Sequence, residues 1–120
     1  MINIAIVGIG FMGATHFLAA KGVQGARVSA IVTRDPKKRR GDWSDVKGNF
    51  GSGGGVQDLS GIKVYSTLDE VLADDSIDLV DICLPTAMHP STVIKSLEAG
   101  KHVLVEKPIS IRLDDADAML

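Results

Sequence analysis

A chain of 120 residues is long enough for one domain with its own core, and 45% apolar against 23% charged residues is ordinary for a globular protein. The formal net charge of −2 offers no attraction to nucleic acid or to an anionic membrane, and neither is expected as a partner. Cys83 is the only cysteine, so no internal disulfide can form, which fits a reducing cytoplasm, and no apolar run is long enough to cross a bilayer.

In chain order, Ile2 to Val7 is nearly all apolar and rich in β-branched residues, as expected of a central parallel strand buried on both faces. A glycine turn follows, then a helix from Phe11 to Ala20, with Gly22 and Gly25 placed to end it. Ala26 to Thr33 reads as a second strand, and Pro36 opens a basic stretch through Arg40 that reads as a short helix. From Gly41 to Gly61 the glycines at 48, 51, 53, 54 and 55 and the lack of apolar periodicity predict a mobile loop, without secondary structure through Gly51–Gly55. Lys63 to Tyr65 is a short strand. Thr67-Leu68-Asp69-Glu70 is a capping box starting a helix that runs to about Ala73. Leu79 to Leu84 reads as a strand, His89 to Ala99 as a helix ended by Gly100, and His102 to Val105 as the last strand, after which Ser110 is expected to cap a helix. Strands alternating with helices predict an α/β fold, a doubly wound parallel sheet.

Gly8-Ile9-Gly10-Phe11-Met12-Gly13 follows a strand and opens a helix, the setting in which a Gly-x-Gly-x-x-Gly run binds a dinucleotide. Gly8 permits the tight turn, Gly10 lets a pyrophosphate approach the backbone, and Gly13 lets helix and strand pack closely, while the helix N-terminus favours the phosphates. An NAD site usually carries an acidic residue about 20 positions further on. Thr33 and Arg34 stand there instead, with Lys37 and Lys38 nearby, so NADP is the expected cofactor and NAD the alternative. Asp35 could take the NAD role after a small shift of the chain, and a solvated helix face is the other reading of the basic run. Cys83 to His89 and Glu106-Lys107-Pro108 both follow strands, where ligands bind in open α/β sheets. Lys107 can stabilise alkoxide character or relay a proton, although a lone lysine is more often a surface residue. His89, near a helix start, is more often a capping or packing residue than a base, and Cys83 a small buried one. No metal site is expected.

Taken together, the glycine turn, Val80-Asp81-Ile82-Cys83-Leu84-Pro85-Thr86 with His89, and Ala99-Gly100-Lys101-His102-Val103-Leu104-Val105-Glu106-Lys107-Pro108 resemble the glucose–fructose oxidoreductase, inositol dehydrogenase and MocA family over essentially the whole chain. The resemblance implies a Rossmann NAD(P)-binding domain, followed in the family by a larger α/β domain that holds a sugar or polyol and builds a homo-oligomer. It makes Lys107 the catalytic-site lysine, with the bond before Pro108 often cis. It implies that Glu106, Leu84, Pro85 and Thr86 line the cofactor's ribose and nicotinamide, with His89 and Pro108 beside them and Phe11 and Met12 in the glycine turn. The family's other catalytic residues come from its second domain. The chain is therefore expected to be a fragment, inactive alone, that exposes an apolar patch at Ile109, Ile111, Leu113, Met119 and Leu120. A non-catalytic dinucleotide sensor of the same family is the alternative; a site for another adenine-containing ligand such as CoA is a third, which Glu106-Lys107-Pro108 argues against.

Overall fold

The computed structural model describes residues 1–47 and 54–120. The first strand, β1 (Ile2–Val7), alternates its side chains between two cores, as a two-residue period demands. Ala5 and Val7 join Val71, Val93 and Met119 on one face, while Ile4 and Ile6 meet Phe17 and Trp43 on the other. A strand buried on both faces belongs inside a sheet. β1 pairs in parallel with β2 (Ala26–Val32) on one side and β6 (Leu79–Ile82) on the other. With β5 (Lys63–Tyr65) and β7 (His102–Val105) the order is β5-β2-β1-β6-β7, every pair parallel. The doubly wound α/β architecture expected from the sequence is the one present. Its chain order reverses between β1 and β6, where a crevice opens at the carboxyl edge.

The crossovers that parallel strands require supply both outer layers. Helix α1 (Phe11–Ala20) covers one face; α3 (Leu68–Leu72), α4 (His89–Glu98) and α5 (Leu113–Met119) cover the other. The capping box at α3 is present: the Glu70 N–H donates to Thr67 Oγ1 (3.3 Å) and the Thr67 N–H to Glu70 Oε1 (3.0 Å). Gly100 ends α4 with φ of 78°, which a side chain would disfavour. The amino edge is closed by polar ties. Lys101 Nζ donates to the carbonyls of Asp74 and Ile77 (2.9 Å each), and Asp74 Oδ2 accepts from Lys63 Nζ (2.8 Å) and the Tyr65 hydroxyl (2.7 Å). The Lys63, Ser76 and Tyr65 donors hold the Asp74 carboxyl well below the usual carboxylate range.

The largest departure from expectation lies in the glycine-rich segment. The predicted loop contains a two-stranded antiparallel ladder, β3 (Asp42–Trp43) with β4 (Gly55–Val56). Helix α2 (Pro36–Arg39) is one turn long, too short to cover the sheet beside α1, and Trp43 and Val46 cover it instead. Trp43 is fully buried, edge-on to Phe17 with centroids 4.8 Å apart, and its indole N–H donates to the Lys38 carbonyl (2.8 Å). Gly54 packs on it so closely that a Cβ there would lie 2.7 Å from Trp43. The expectations for Gly48, Gly51 and Gly53 fall outside the described residues.

Smaller corrections concern ends. The strand expected through Thr33 stops at Val32, and the one expected through Leu84 stops at Ile82. Ser110 does not cap α5: its hydroxyl donates to the Arg112 carbonyl (2.7 Å), and Arg112 is the N-cap, with no side-chain capping bond. Met119 is not part of an exposed patch, because it is buried in the core against the sheet; Ile109, Ile111, Leu113 and Leu120 are exposed.

Candidate functional site

The sheet's ladder continues one residue past four of its strands. Gly8 N–H donates to the Val32 carbonyl (3.0 Å), Thr33 N–H to Tyr65 (3.1 Å), Cys83 N–H to Val7 (2.8 Å) and Glu106 N–H to Ile82 (3.1 Å). Residues from four distant stretches are thereby set in a row along the carboxyl edge, where α/β sheets present ligand sites.

Two clefts open along this row and share Gly8 and Leu84. The smaller, about 440 Å³, is lined by Thr33 and Arg34 after β2, by Ser66, Thr67 and Leu68 at the start of α3, and by Met88, Ser91, Thr92 and Lys95 around α4. The larger, about 790 Å³, is lined by Gly10, Phe11 and Met12 of the glycine turn, by Cys83 and Pro85 after β6, by Glu106 and Lys107 after β7, and by Lys47.

The three glycines have different physical reasons. Gly8 has φ of 94°, and a Cβ on it would lie 2.7 Å from the Cys83 carbonyl oxygen. A Cβ on Gly13 would overlap the Gly8 carbonyl oxygen, so this glycine sets how closely α1 approaches β1. Gly10, the N-cap of α1, has an extended backbone (φ −96°, ψ −158°), and a Cβ on it would meet nothing within 4 Å among the described residues. No side chain caps this helix, whose first internal bond runs from Ala14 N–H to the Gly10 carbonyl (3.0 Å). The N-terminal end of α1 therefore favours an anion, and it opens on the larger cleft beside Gly8, which both clefts share.

At the end of β2, Thr33 is largely buried and its Oγ1 accepts from the Asp35 N–H (3.3 Å). The Asp35 carboxylate caps α2 by accepting from the Lys37 N–H (2.9 Å) and does not line the smaller cleft. Arg34 is exposed on the cleft wall, and Arg39 Nη1 donates to the Thr33 carbonyl (2.9 Å). Among the described residues lining this cleft there is no carboxylate. Lys38 lines neither cleft, and Lys37 is paired with Asp45 (2.7 Å).

His89 lies behind the clefts. Its ring is fully buried, with Nδ1 2.9 Å from the Pro108 carbonyl and Nε2 2.9 Å from the Leu84 carbonyl. Carbonyls only accept, so each contact is a hydrogen bond in which the ring nitrogen donates. The imidazole ties the turn after β6 to the turn after β7, and the Lys107–Pro108 bond in the latter is cis. Thr86 and Pro108 sit within these turns without lining a cleft, and Gly13 sits beneath Gly8. Lys107 is exposed on the wall of the larger cleft.

The chemistry that sequence reasoning missed is on α1. His16 Nδ1 lies 2.7 Å from Asp81 Oδ2, and its Nε2 lies 2.8 Å from Glu106 Oε1. Burial opposes a charge on this ring, yet hydrogen bonds and attraction from Asp81 and Glu106 together raise its pKa above the ordinary 6.5. Cys83 Sγ is 3.4 Å from His16 Nδ1 and 3.7 Å from Asp81 Oδ1. Burial, reinforced by the Asp81 charge, pushes this thiol far up, so it is neutral and no nucleophile. Donor atoms of His16, Asp81 and Cys83 lie within 4.8 Å of one another, and hydrogen bonding accounts for that closeness. A buried Asp81 in an otherwise apolar strand was the available signal. Ser66 to Leu68 could have been found by their place after β5, whereas nothing local marked Lys95 or Lys47.

A family model described as "Oxidoreductase family, NAD-binding Rossmann fold" matches residues 2–120. A 4-carboxy-2-hydroxymuconate-6-semialdehyde dehydrogenase of Sphingobium sp. is 32% identical over 119 residues, 99% of this chain and 34% of the relative. Inositol 2-dehydrogenase of Corynebacterium glutamicum is 27% identical over 110 residues, 91% of this chain and 29% of the relative. The structure of an oxidoreductase from Agrobacterium radiobacter, in complex with NAD+, L-tartaric acid and magnesium, is similar with a TM-score of 0.80 at 29% identity, covering 98% of this chain and 31% of that one. The chain thus spans about a third of the length of these relatives.

Proposed function

The chain belongs to the glucose–fructose oxidoreductase, inositol dehydrogenase and MocA family of oxidoreductases, in its NAD-binding Rossmann fold, and on that premise we propose that it binds NADP(H) in preference to NAD(H) as the nucleotide-binding domain of a two-domain enzyme. Within that enzyme, hydride moves between the cofactor and a carbinol carbon of a sugar, polyol or related small molecule. The substrate-holding residues are proposed to lie outside these 120 residues, in a domain corresponding to the remaining two thirds of the relatives, which also builds a homo-oligomer.

The single observation that supports this most is Gly10. It needs neither a positive φ nor room for a neighbour, so nothing among the described residues requires glycine there. A bound pyrophosphate at the helix end between the clefts would require it. In this reading the adenosine half takes the smaller cleft and the nicotinamide half the larger. The nicotinamide ring supplies the capacity to accept or give hydride. Glu106, Leu84 and Pro85 border that half, and His89 keeps their two turns together. The Lys107 ammonium stands where it can stabilise negative charge on a substrate oxygen or hold its proton. The smaller cleft has the Arg34 cation, the Thr33 hydroxyl and Lys95, and among its described lining residues no carboxylate to repel a 2′-phosphate.

Gly10→Val tests the reading directly. It is expected to leave the melting temperature nearly unchanged and to weaken dinucleotide binding by at least about tenfold, by steric exclusion of the phosphates. Titration of NADPH by fluorescence reads the affinity; an unchanged Kd, or a variant that unfolds, would defeat the assignment. Arg34→Ala tests cofactor choice. It is expected to cost NADPH about 1.5–3 kcal/mol, the range for a charge-assisted hydrogen bond, and NADH almost nothing. Equal losses for both cofactors would refute the preference.

A further inference from the structure

We propose that His16 is a positioning residue: as an imidazolium it bridges Asp81 and Glu106 and thereby holds the Glu106-Lys107 turn that walls the larger cleft. The geometry forms one continuous chain of hydrogen bonds. Asp81 stands on the inner strand β6 with its side chain only 6% exposed, and its Oδ2 takes one side of the ring at 2.7 Å. Glu106 Oε1 takes the other side at 2.8 Å. The second Glu106 oxygen accepts the Lys107 backbone N–H at 3.2 Å. Ionised carboxylates only accept, so both contacts are satisfied together only when both ring nitrogens carry hydrogen.

Loss of one proton breaks the symmetry. A neutral ring donates to one carboxylate and turns a lone pair toward the other. Among the described residues, the groups facing the ring are Asp81 on β6, Cys83 just after it and Glu106 after β7; Lys21 of the same helix lies over the Phe17 ring instead. Cys83 is neutral and adds no charge. Asp81 is fixed in a rigid strand, while Glu106 is 19% exposed at a strand end, beside the open cleft. Glu106 is therefore the partner released, and the Lys107 turn loosens with it. The two carboxylates raise the His16 pKa, so release occurs as pH rises through that elevated value. The cofactor consequence rests on the function proposed above: nicotinamide-side binding weakens over the same pH interval.

The test is an NMR titration of the isotopically labelled 120-residue chain between about pH 5.5 and 9, following the His16 ring nitrogens and the Lys107 amide. The expected result is a His16 midpoint above that of a free imidazole and a Lys107 amide that shifts with the same midpoint. Glu106→Gln should lower the His16 midpoint, because one of the two charges that raise it is gone. His16→Gln should retain the folded spectrum and remove the transition at Lys107. A Lys107 amide that stays still while His16 titrates, or a His16 midpoint indifferent to Glu106→Gln, overturns the proposal; both are read without His16→Gln, should that variant fail to fold. In the wild type, NADH affinity is expected to fall by about tenfold across the same midpoint, the worth of one charged hydrogen bond, and to be flat in His16→Gln. Binding that is tight and independent of pH in the wild type overturns the coupling to the cleft. A chain that binds no dinucleotide at any pH instead refutes the functional reading, and the amide titration alone then decides the role of His16.

Discussion

Trp43→Ala is expected to destabilise the domain by about 3–5 kcal/mol, the range for truncating a buried tryptophan to alanine, although the residue lies in a segment whose composition predicts a loop. The side chain is wholly buried and fills the face of the sheet that the one-turn helix α2 cannot reach. Its removal opens a cavity bordered by Phe17, Ile6, Ile31 and Val46 and leaves the Lys38 carbonyl without its indole donor. The backbone around it has little freedom to collapse, since Gly54 already packs against Trp43. Urea unfolding of wild type and variant provides the measurement. A loss below about 1 kcal/mol, typical of surface positions, would show that the hairpin does not belong to the core.

Gly13→Ala is the second large effect, and its sign is unusual. Alanine in place of glycine within a helix ordinarily stabilises by about 1 kcal/mol. Here the added methyl would overlap the Gly8 carbonyl oxygen, a backbone atom fixed by the ladder bond from Gly8 N–H to Val32. Either α1 lifts off β1 or the turn opens, and overpacking of this kind costs about 1–3 kcal/mol or more. A net loss of about 2–3 kcal/mol in thermal or chemical unfolding is expected, with dinucleotide affinity falling as well because the turn moves. A variant as stable as wild type would mean that helix and strand approach each other less closely than described. The contrast with Gly10→Val is diagnostic: Gly13 serves the fold, whereas the expected cost of Gly10→Val falls on the proposed ligand.

Much of the architecture was legible locally. The run Ile2–Val7, the glycine turn and the Thr67–Glu70 box each state their conformation within a few residues, because strand burial, positive φ and helix capping are short-range requirements. The β-bulge in β2 was not legible. The register steps from Ile4 with Val28 to Ala5 with Ala30, skipping Ser29, and this slip is what sends Val28 and Ile31 to one core and Ala30 and Val32 to the other. Ser29 Oγ is buried there with no hydrogen-bond partner among the described residues. The glycine-rich composition of 41–61 concealed Trp43 and Val46, since a hairpin this short takes its stability from the surface it covers rather than from its own periodicity.

By itself, the sequence determined the alternation of strands and helices, the parallel sheet and the place of the glycine turn, all of which follow from patterns within one crossover unit. It also named Arg34, Glu106 and Lys107 as candidates, because residues that follow strands share one edge in such a sheet. Only the tertiary structure decided what surrounds them. It set His16 between Asp81, 65 residues away, and Glu106. It sank His89 between two carbonyls, assigned Asp35 to a helix cap and brought Lys95 to the cleft in place of Lys38. Side-chain partners across a parallel sheet are fixed by register and by packing between crossovers, and neither leaves a trace in the spacing of residues along the chain.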